Sequence, residues 1–264
     1  MFHEPAKQFL YSAYMVETEH RDTQGTIKTG RASAFLLEVG KGQAWLITNR
    51  HVLDLDYRQR TAKYKDFALT KLEVTGRRSD DSTYTFRFHP EAKTYFHTDP
   101  QNDVVLIETK VYLDGPDSWH WHFGLDHLAD AEVYKSIRPF DLVCYTGFPD
   151  QYDKLGDRPI LRSGHIASDP AFNYSWDREP HGQCVAYEGF SFPGSSGGPV
   201  FAPPRGMTNI PDSRHGYLIG VNALHIDAGY AGHSGISCFY KSTVILEIID
   251  YYNLLEITYS VPSV

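Results

Sequence analysis

Short apolar runs constrain the fold of this chain more than any other feature of its sequence. Most apolar residues stand in runs of about four to eight, separated by Gly, Pro, Asn or Asp, a punctuation typical of β-strands. Residues 242–252 instead carry apolar side chains at helical spacing, with Ser242 as the expected N-cap. We therefore predict an all-β chain of about a dozen strands in two similar halves, closed by a C-terminal helix. The strand candidates are 32–39, 43–48, 67–75, 83–88, 104–109, 140–146, 160–167, 183–187, 199–201, 217–223 and 235–239.

A long segment after Leu113 with no clear period separates the two halves. A connection of this length more often joins two half-domains than forms one surface turn. We therefore place the N-terminal half at 1–112, the connection at 113–132, and the C-terminal half with its helix at 133–264.

The connection also contains Trp119-His120-Trp121-His122, followed by His127. These histidines could hold a metal ion, and the tryptophans could dock a partner protein. An aromatic run of this kind is more often a packed loop between domains, so we expect no metal site.

Composition excludes several classes of protein. The 264 residues carry a formal net charge of −8, without the basic footprint of a nucleic-acid binder. No apolar stretch approaches the roughly 18 to 20 residues of a membrane helix, and the N-terminus lacks the pattern of a secretory signal. The chain has three cysteines, an odd and small number that does not indicate a disulfide framework and fits a reducing compartment. We expect a soluble, cytoplasmic protein that binds neither nucleic acid nor membranes.

The strongest local signal is the string FPGSSGGPV at residues 192–200. Gly194, Ser196 and Gly198 satisfy the G-x-S-x-G pattern of a nucleophile elbow, but that turn needs a helix directly after the serine. Pro199 and two prolines downstream forbid such a helix. The alternative is a tight glycine loop in which a nucleophilic serine precedes Gly-Gly-Pro, and a glycine two residues earlier lets the backbone turn its N–H groups inward.

Two further motifs supply the groups that a nucleophilic serine requires. His51, in ITNRHV at the end of an apolar strand, is the candidate base, since a serine hydroxyl is a weak nucleophile without one. Asp103, in PQNDVVLI, is the candidate for the carboxylate that orients the imidazole. Asp54, Asp56 and Asp99 compete for that position. Asp103 is preferred because the apolar run that follows it would bury its carboxylate.

These motifs resemble the trypsin-like (chymotrypsin-fold) serine peptidases, closest to the disulfide-free bacterial HtrA-type protease domain. The matching strings are ITNRHV, NDVVLI and GSSGGPV, in the order His, Asp, Ser, with weaker agreement in FDLVCYTGFPD, LRSGHIAS and LIGVNALH. Together with the C-terminal helix, they cover most of the chain from about residue 25 to residue 253. The resemblance implies two six-stranded antiparallel β-barrels with a C-terminal helix, and a serine endopeptidase without a cofactor.

The resemblance also implies roles for individual residues. Ser196 would be the nucleophile, His51 the general base and Asp103 the residue that orients it, while the N–H groups of Gly194 and Ser196 would form the oxyanion hole. Ser195 stands where zymogen-activated members keep an Asp that pairs with a freed N-terminus, so activation by N-terminal clipping is not implied. Only eleven residues follow residue 253, so we expect no appended peptide-binding domain.

The same resemblance places the pocket for the P1 side chain at residues 190–193 and 222–225. Phe190 near the floor of the pocket would exclude the acidic residue that binds a P1 Arg or Lys. This favours an uncharged P1 residue. Asn222 would either read a polar P1 side chain or hydrogen-bond the backbone. Ala223 and His225 are the other expected substrate contacts.

Together these observations predict a serine endopeptidase that cleaves protein or peptide substrates through an acyl-enzyme. An unrestrained cytoplasmic peptidase would be dangerous, so we expect a partner protein or ligand to gate its activity. The alternative is a catalytically latent or inactive trypsin-like fold that serves as a protein-binding scaffold, with its oxyanion loop collapsed.

Overall fold

Thirteen strands and four α-helices make up the part of the chain that the computed structural model describes. That part comprises residues 5–39, 43–59, 61–78, 80–89, 91–112, 120–206, 213–229 and 232–256. The strands are β1 (Tyr14–Arg21), β2 (Ile27–Glu38), β3 (Gln43–Thr48), β4 (Ala68–Arg77), β5 (Thr83–Phe88), β6 (Thr94–Phe96), β7 (Val105–Tyr112), β8 (Leu142–Gly147), β9 (Ile160–Ile166), β10 (Cys184–Glu188), β11 (Pro199–Ala202), β12 (Tyr217–Asp227) and β13 (His233–Lys241). The helices are α1 (Pro5–Tyr11), α2 (Arg50–Leu53), α3 (Ala131–Tyr134) and α4 (Ser242–Tyr251).

The strands of the N-terminal half form one antiparallel sheet in the order β5-β4-β1-β2-β3-β7-β6. The sequence predicted a six-stranded barrel here, whereas the described residues form a sheet of seven strands whose pairings do not close into a ring. The additional members are β1, which pairs with β2 and β4, and the three-residue edge strand β6. Neither was among the strand candidates.

Strand β1 was not predicted because polar residues occupy two of its five buried positions. Val16, Thr18 and His20 all point inward and are almost completely buried, so the strand lacks a row of apolar residues. The His20 ring is paired through Nε2, which lies 3.0 Å from the carbonyl oxygen of Leu53. A polar side chain tolerates such burial when it is hydrogen-bonded.

The C-terminal half is a closed antiparallel barrel of six strands in the order β10-β13-β12-β11-β8-β9, as predicted. Each strand contributes inward-facing apolar side chains to one core. These include Val143, Tyr145, Ile166, Val185, Val200, Ile219 and Phe239.

A second apolar cluster packs the two halves against each other. It joins Phe35 and Trp45 of the N-terminal sheet to Phe201 of the barrel and Ile245 of α4. The segment before α3 also links the halves, because Phe123 exchanges backbone hydrogen bonds with β2 and Leu128 forms a bridge to β12. The predicted domain boundaries stay predictions, and residues 113–119 of the predicted connection lie outside the described residues.

Helix α4 forms where the apolar spacing predicted it. The predicted N-cap is wrong by one residue: Lys241 is the N-cap, and Ser242 is the first helical residue. The Ser242 hydroxyl instead donates to the carbonyl of Ala129, 2.5 Å away, and so ties α4 to the connection. Among the described helices, none has the length and apolarity needed to cross a bilayer.

The packing between the halves predicts a large effect of truncating Phe201, whose ring is wholly buried. We expect Phe201→Ala to lower the free energy of unfolding by about 3 to 5 kcal/mol, because it removes buried apolar surface and leaves a cavity. Phe172 is 70% exposed, so Phe172→Ala should change stability by less than about 0.5 kcal/mol. Urea denaturation measures both, and equal effects would show that the ring does not contribute to this packing.

Candidate active site

An open cleft of about 460 Å³ lies between the two halves and is lined by residues from all three motifs. Residues far apart in the sequence therefore meet in one place. Its walls are Thr18, Gly30, Arg31, Ala32, His51, Val52, Leu55 and Asp103 from the first half, and Ser191, Phe192, Pro193, Gly194, Ser196, Ala223, Leu224 and His225 from the second.

Two hydrogen bonds join His51 to Asp103. His51 lies on α2, directly after β3, and its Nδ1 is 2.6 Å from Oδ2 of Asp103. Its backbone N–H donates to the other carboxylate oxygen at 3.0 Å, and the Asn49 side chain donates to the Asp103 carbonyl at 2.6 Å. Because an ionised carboxylate only accepts, Nδ1 carries the proton and Nε2 keeps its lone pair. This is the tautomer that a general base requires.

The pair also sets the proton affinity of His51. Burial by itself lowers the pKa of the imidazole, but the charge of Asp103 and the hydrogen bond to it outweigh burial and raise that pKa overall. The His51 side chain is 37% exposed, whereas that of Asp103 is 6% exposed. The buried Asp103 carboxylate therefore interacts with His51, while the His51 imidazole is accessible from the cleft.

Two of the three competing acids, Asp54 and Asp99, have other partners. Asp54 lies 3.6 Å from the guanidinium of Arg50 and accepts the backbone N–H of Asp56. Asp99 accepts the backbone N–H of Gln101. Of the four candidate carboxylates, Asp103 is the one the structure brings to His51.

Ser196 lies in the loop between β10 and β11. Its hydroxyl donates to the carbonyl oxygen of Ala223, 2.6 Å away, and not to His51. Its own carbonyl accepts the backbone N–H of Ser33, in β2, at 2.7 Å. The backbone at Ser196 is therefore fixed to the opposite half, while the hydroxyl has to turn from Ala223 before it can reach His51.

The loop preceding Ser196 is a type II turn. The Ser195 N–H donates to the carbonyl of Phe192 at 2.9 Å, Pro193 is the second residue, and Gly194 is the third, with φ of +94°. A positive φ at the third residue defines this turn and favours glycine. A Cβ at Gly194 would also lie 2.3 Å from the carbonyl oxygen of Phe148, so glycine is required for space as well as for conformation.

The turn leaves two amides unused at the cleft. The N–H groups of Ser195, Gly197 and Gly198 each donate to a backbone carbonyl, whereas no hydrogen bond within the described part of the chain uses those of Gly194 and Ser196. Both of these residues line the cleft. Two unpaired donors beside a serine hydroxyl can stabilise an oxyanion that forms there.

The prediction that Asn222 contacts substrate is wrong, because its side chain is completely buried and does not line the cleft. Its Oδ1 accepts the Tyr187 hydroxyl at 2.7 Å, and its Nδ2 donates to Ser191 Oγ at 2.8 Å and to the Ser195 carbonyl at 3.1 Å. All of these bonds lie within the protein. Asn222 therefore supports the turn, which is the second of the two roles considered for it.

Phe190 is not at the floor of the pocket. Its ring is 51% exposed and packs on Phe192 and His233 outside the lining of the cleft. Ala223 and His225 line the cleft, and their contact with substrate stays a prediction. The His225 ring stacks on that of His233 with centroids 4.6 Å apart. Burial, reinforced by the neighbouring His225, lowers the pKa of His233, so the His233 ring is uncharged near neutral pH.

Strand β12 changes register beside Ser196. Asn222 and Leu224 face consecutive residues of β13, so Ala223 is the extra residue of a β-bulge. On the other side of β12, pairing with β11 ends at Val221. In the described part of the chain, the stretch 223–225 therefore presents an edge without a strand partner to the cleft.

Sequence reasoning missed Arg31, which stands at the opposite wall of the cleft. Its guanidinium lies 5.0 Å from the centre of the Tyr152 ring and 3.8 Å from Asp150 Oδ1. The sequence feature that could have indicated Arg31 is a basic residue directly before the apolar run 32–39.

The histidines of the connection show no metal geometry in the described residues, which contain no group of three or more His, Cys, Asp or Glu side chains arranged for a metal ion. His122 Nε2 lies 3.7 Å from Glu38, and His127 Nδ1 accepts the N–H of Gly124. Trp119 lies outside the described residues.

A family model described as a trypsin-like peptidase domain matches residues 32–206, which include all three motifs. The chain belongs to the trypsin-like peptidase family. The family indicated by the motifs is thereby confirmed. No curated protein matches the chain significantly.

Two solved structures that match this chain confirm the fold class. The thermostable serine protease AL20 from an extremophilic microorganism is 12% identical, with a TM-score of 0.54 over 90% of this chain and 96% of that one. Deg5 is 15% identical, with a TM-score of 0.53 over 95% of this chain and 96% of that one. At these identities the likeness shows the fold alone.

The His51–Asp103 pair predicts a characteristic pH profile. Because the pKa of His51 is raised, the rate at which a fluorophosphonate labels the protein should climb with pH through a midpoint above the ordinary histidine value of about 6.5. Asp103→Asn should reduce the rate on the order of 10³ to 10⁴-fold, because the imidazole loses its tautomer, and should move the midpoint to lower pH. Asp99→Asn should stay within about twofold of the parent. An unshifted midpoint in Asp103→Asn would show that this carboxylate does not act on His51.

Proposed function

We propose that this trypsin-like peptidase is an active serine endopeptidase with the catalytic residues Ser196, His51 and Asp103. The observation that carries the proposal is the pair of unused amides, Gly194 and Ser196, beside a serine hydroxyl in the cleft that also holds the His51–Asp103 pair. Nucleophile, base, orienting acid and oxyanion donors are the groups that acyl transfer needs.

In the proposed reaction Ser196 Oγ attacks the peptide carbonyl carbon and passes its proton to His51 Nε2. The negative charge that develops on the carbonyl oxygen is stabilised by the two unused amides. Asp103 stabilises the imidazolium, which then gives its proton to the leaving amine as the C–N bond breaks. Water repeats the sequence on the acyl-enzyme, releasing the carboxylic acid and restoring the serine.

The open edge at 223–225 supports an extended peptide as the substrate. A peptide lying along this edge as an added strand would be held by main-chain hydrogen bonds, independently of its sequence. Its N–H would compete with the Ser196 hydroxyl for the carbonyl of Ala223. We propose that this competition frees the hydroxyl to turn toward His51, so that substrate binding prepares the nucleophile.

A protein-binding scaffold is the second candidate, and the resting hydrogen bond from Ser196 to Ala223 is the observation that favours it. The open amides weigh against it, since the scaffold hypothesis assumed a collapsed oxyanion loop. We also propose an intracellular location, supported by three free cysteines, Cys144, Cys184 and Cys238. Gating by a partner stays a prediction.

The proposal is tested by labelling the purified chain with a fluorophosphonate and weighing the intact protein. One adduct is expected on the parent, and none on Ser196→Ala, because the probe reacts only with an activated serine. Ser163→Ala, which removes an exposed hydroxyl from β9, should label like the parent. Peptide mapping should place the adduct on Ser196.

An unlabelled parent would contradict constitutive activity, and repeating the reaction in a cell lysate would then separate the remaining candidates. Labelling restored by lysate would support an enzyme gated by a partner. Continued absence of labelling would favour the scaffold.

The side chains next to Ser196 on the C-terminal side of the cleft predict the P1 preference. Phe192, Leu224 and the His225–His233 stack offer no carboxylate or guanidinium to a P1 side chain, and burying an unpaired charge is costly. In a library of peptides varied only at P1, we expect uncharged residues to exceed Asp, Glu, Lys and Arg in kcat/KM by about tenfold or more, equivalent to about 1.4 kcal/mol. The same charges moved several residues away serve as the control. A charged P1 residue as the best substrate would contradict this prediction.

A further inference from the structure

Ser33 is a polar residue in the middle of the apolar run ASAFLLEV of β2, and it is completely buried. A hydroxyl inside a core persists only where hydrogen bonds compensate for the loss of water. The bonds of Ser33 run out of its own sheet and into the loop that carries Ser196.

Every polar atom of Ser33 is engaged at the junction of the two halves. Its hydroxyl donates to the carbonyl of Gly194 at 2.7 Å and accepts the N–H of Phe148 at 2.9 Å. Its backbone N–H donates to the carbonyl of Ser196 at 2.7 Å, and its carbonyl accepts the Thr48 hydroxyl at 2.8 Å.

The nucleophile loop is the segment 189–198, which carries Ser196 between β10 and β11. Three consecutive carbonyls of this loop accept hydrogen bonds from donors in the protein interior. The Ser33 hydroxyl holds that of Gly194, the Asn222 amide holds that of Ser195, and the Ser33 N–H holds that of Ser196. Each carbonyl lies in one plane with the N–H of the next residue, so these bonds fix the peptide plane that carries the Ser196 N–H and the planes that follow Gly194 and Ser196. The backbone on both sides of the unused amides is thereby restrained. The Gly198 N–H also donates to the Ser195 carbonyl, so Ser33 provides two of the four hydrogen bonds that hold these carbonyls.

The Ser33 hydroxyl also joins Gly194 to the segment that packs on it. Phe148 donates its N–H to Ser33, and its carbonyl lies so close to Gly194 that a Cβ there would clash at 2.3 Å. The Phe148 side chain is anchored among Ala13 and Met15. Without the hydroxyl, the Phe148 N–H and the Gly194 carbonyl would both lose their partner inside the protein, and the turn would relax to recover hydrogen bonds.

We propose that Ser33 is a positioning residue, which holds the type II turn so that the amides of Gly194 and Ser196 remain available to an oxyanion. The inference rests on the proposed peptidase function. It means that the oxyanion site in the C-terminal half is kept open by a hydroxyl from the N-terminal half, within a single chain.

The test compares the parent with Ser33→Ala in saturation kinetics with a fluorophosphonate, whose phosphoryl oxygen would occupy the oxyanion site. We expect the maximal labelling rate to fall about tenfold to 10²-fold, less than the 10² to 10³ typical of deleting a donor outright. The half-saturating probe concentration and the final labelled fraction should not change. A merely structural role would lower the labelled fraction and leave the maximal rate of the folded molecules unaltered.

Two further variants keep the test interpretable. Thr109→Val removes another buried hydroxyl of the N-terminal sheet, which donates to the Ala44 carbonyl at 2.6 Å, and should label at the parental rate. Ser33→Cys retains a weak donor of similar size, and should fall between the parent and Ser33→Ala. It also serves if Ser33→Ala does not fold.

Hydrogen exchange separates failure of this inference from failure of the proposed function. Ser33→Ala should speed exchange of the Ser195, Gly197 and Gly198 amides about tenfold or more, whether or not the protein is catalytic. A parent that labels together with a Ser33→Ala variant that labels equally fast would overturn the inference and leave the function standing. If the parent does not label, unchanged exchange at these amides overturns the inference, and faster exchange supports it.

Discussion

The cleft depends on how the two halves, each with an apolar core of its own, are joined where the nucleophile loop contacts β2. The backbone hydrogen bond from the Ser33 N–H to the Ser196 carbonyl spans this junction, with the hydroxyl bond from Ser33 to Gly194 beside it. The apolar cluster around Phe201 supplies the adhesion between the halves, but apolar contacts do not fix direction. Directional hydrogen bonds at the loop convert that adhesion into a defined position of Ser196 relative to His51.

Most of the groups that we propose to be catalytic are restrained, and one can move. Asp103 is bonded through both carboxylate oxygens, and the carbonyls of Gly194, Ser195 and Ser196 are each held by a donor. The Ser196 hydroxyl instead rests on Ala223 and has to rotate. Rotation of one side chain costs less free energy than rearrangement of a loop. In the proposed reaction the oxyanion donors therefore stay in place, and only the Ser196 hydroxyl moves.

The sequence was most informative where chemistry requires a particular residue in a short motif. His51, Asp103 and Ser196 were predicted from three strings and meet in one cleft. Prediction failed where long-range contacts decide the outcome. Nothing local reveals that Tyr187 and Ser191 would satisfy the amide of Asn222, or that the Phe190 ring would leave the pocket for His233. Strand β1 was missed for a related reason, since its inward side is partly polar and its partners lie elsewhere in the chain.

The β-bulge at Ala223 limits how this cleft can vary. Side chains of a strand alternate between its two faces, so one extra residue decides which of them meet the cleft beyond that point. Removing Ala223 would leave Leu224 and His225 opposite Cys238 and Ser237, and so on their present faces, but would take away the carbonyl that accepts the Ser196 hydroxyl. Exchange of these side chains leaves the pairing intact. The wall of the cleft is therefore open to change in residue type but closed to change in chain length.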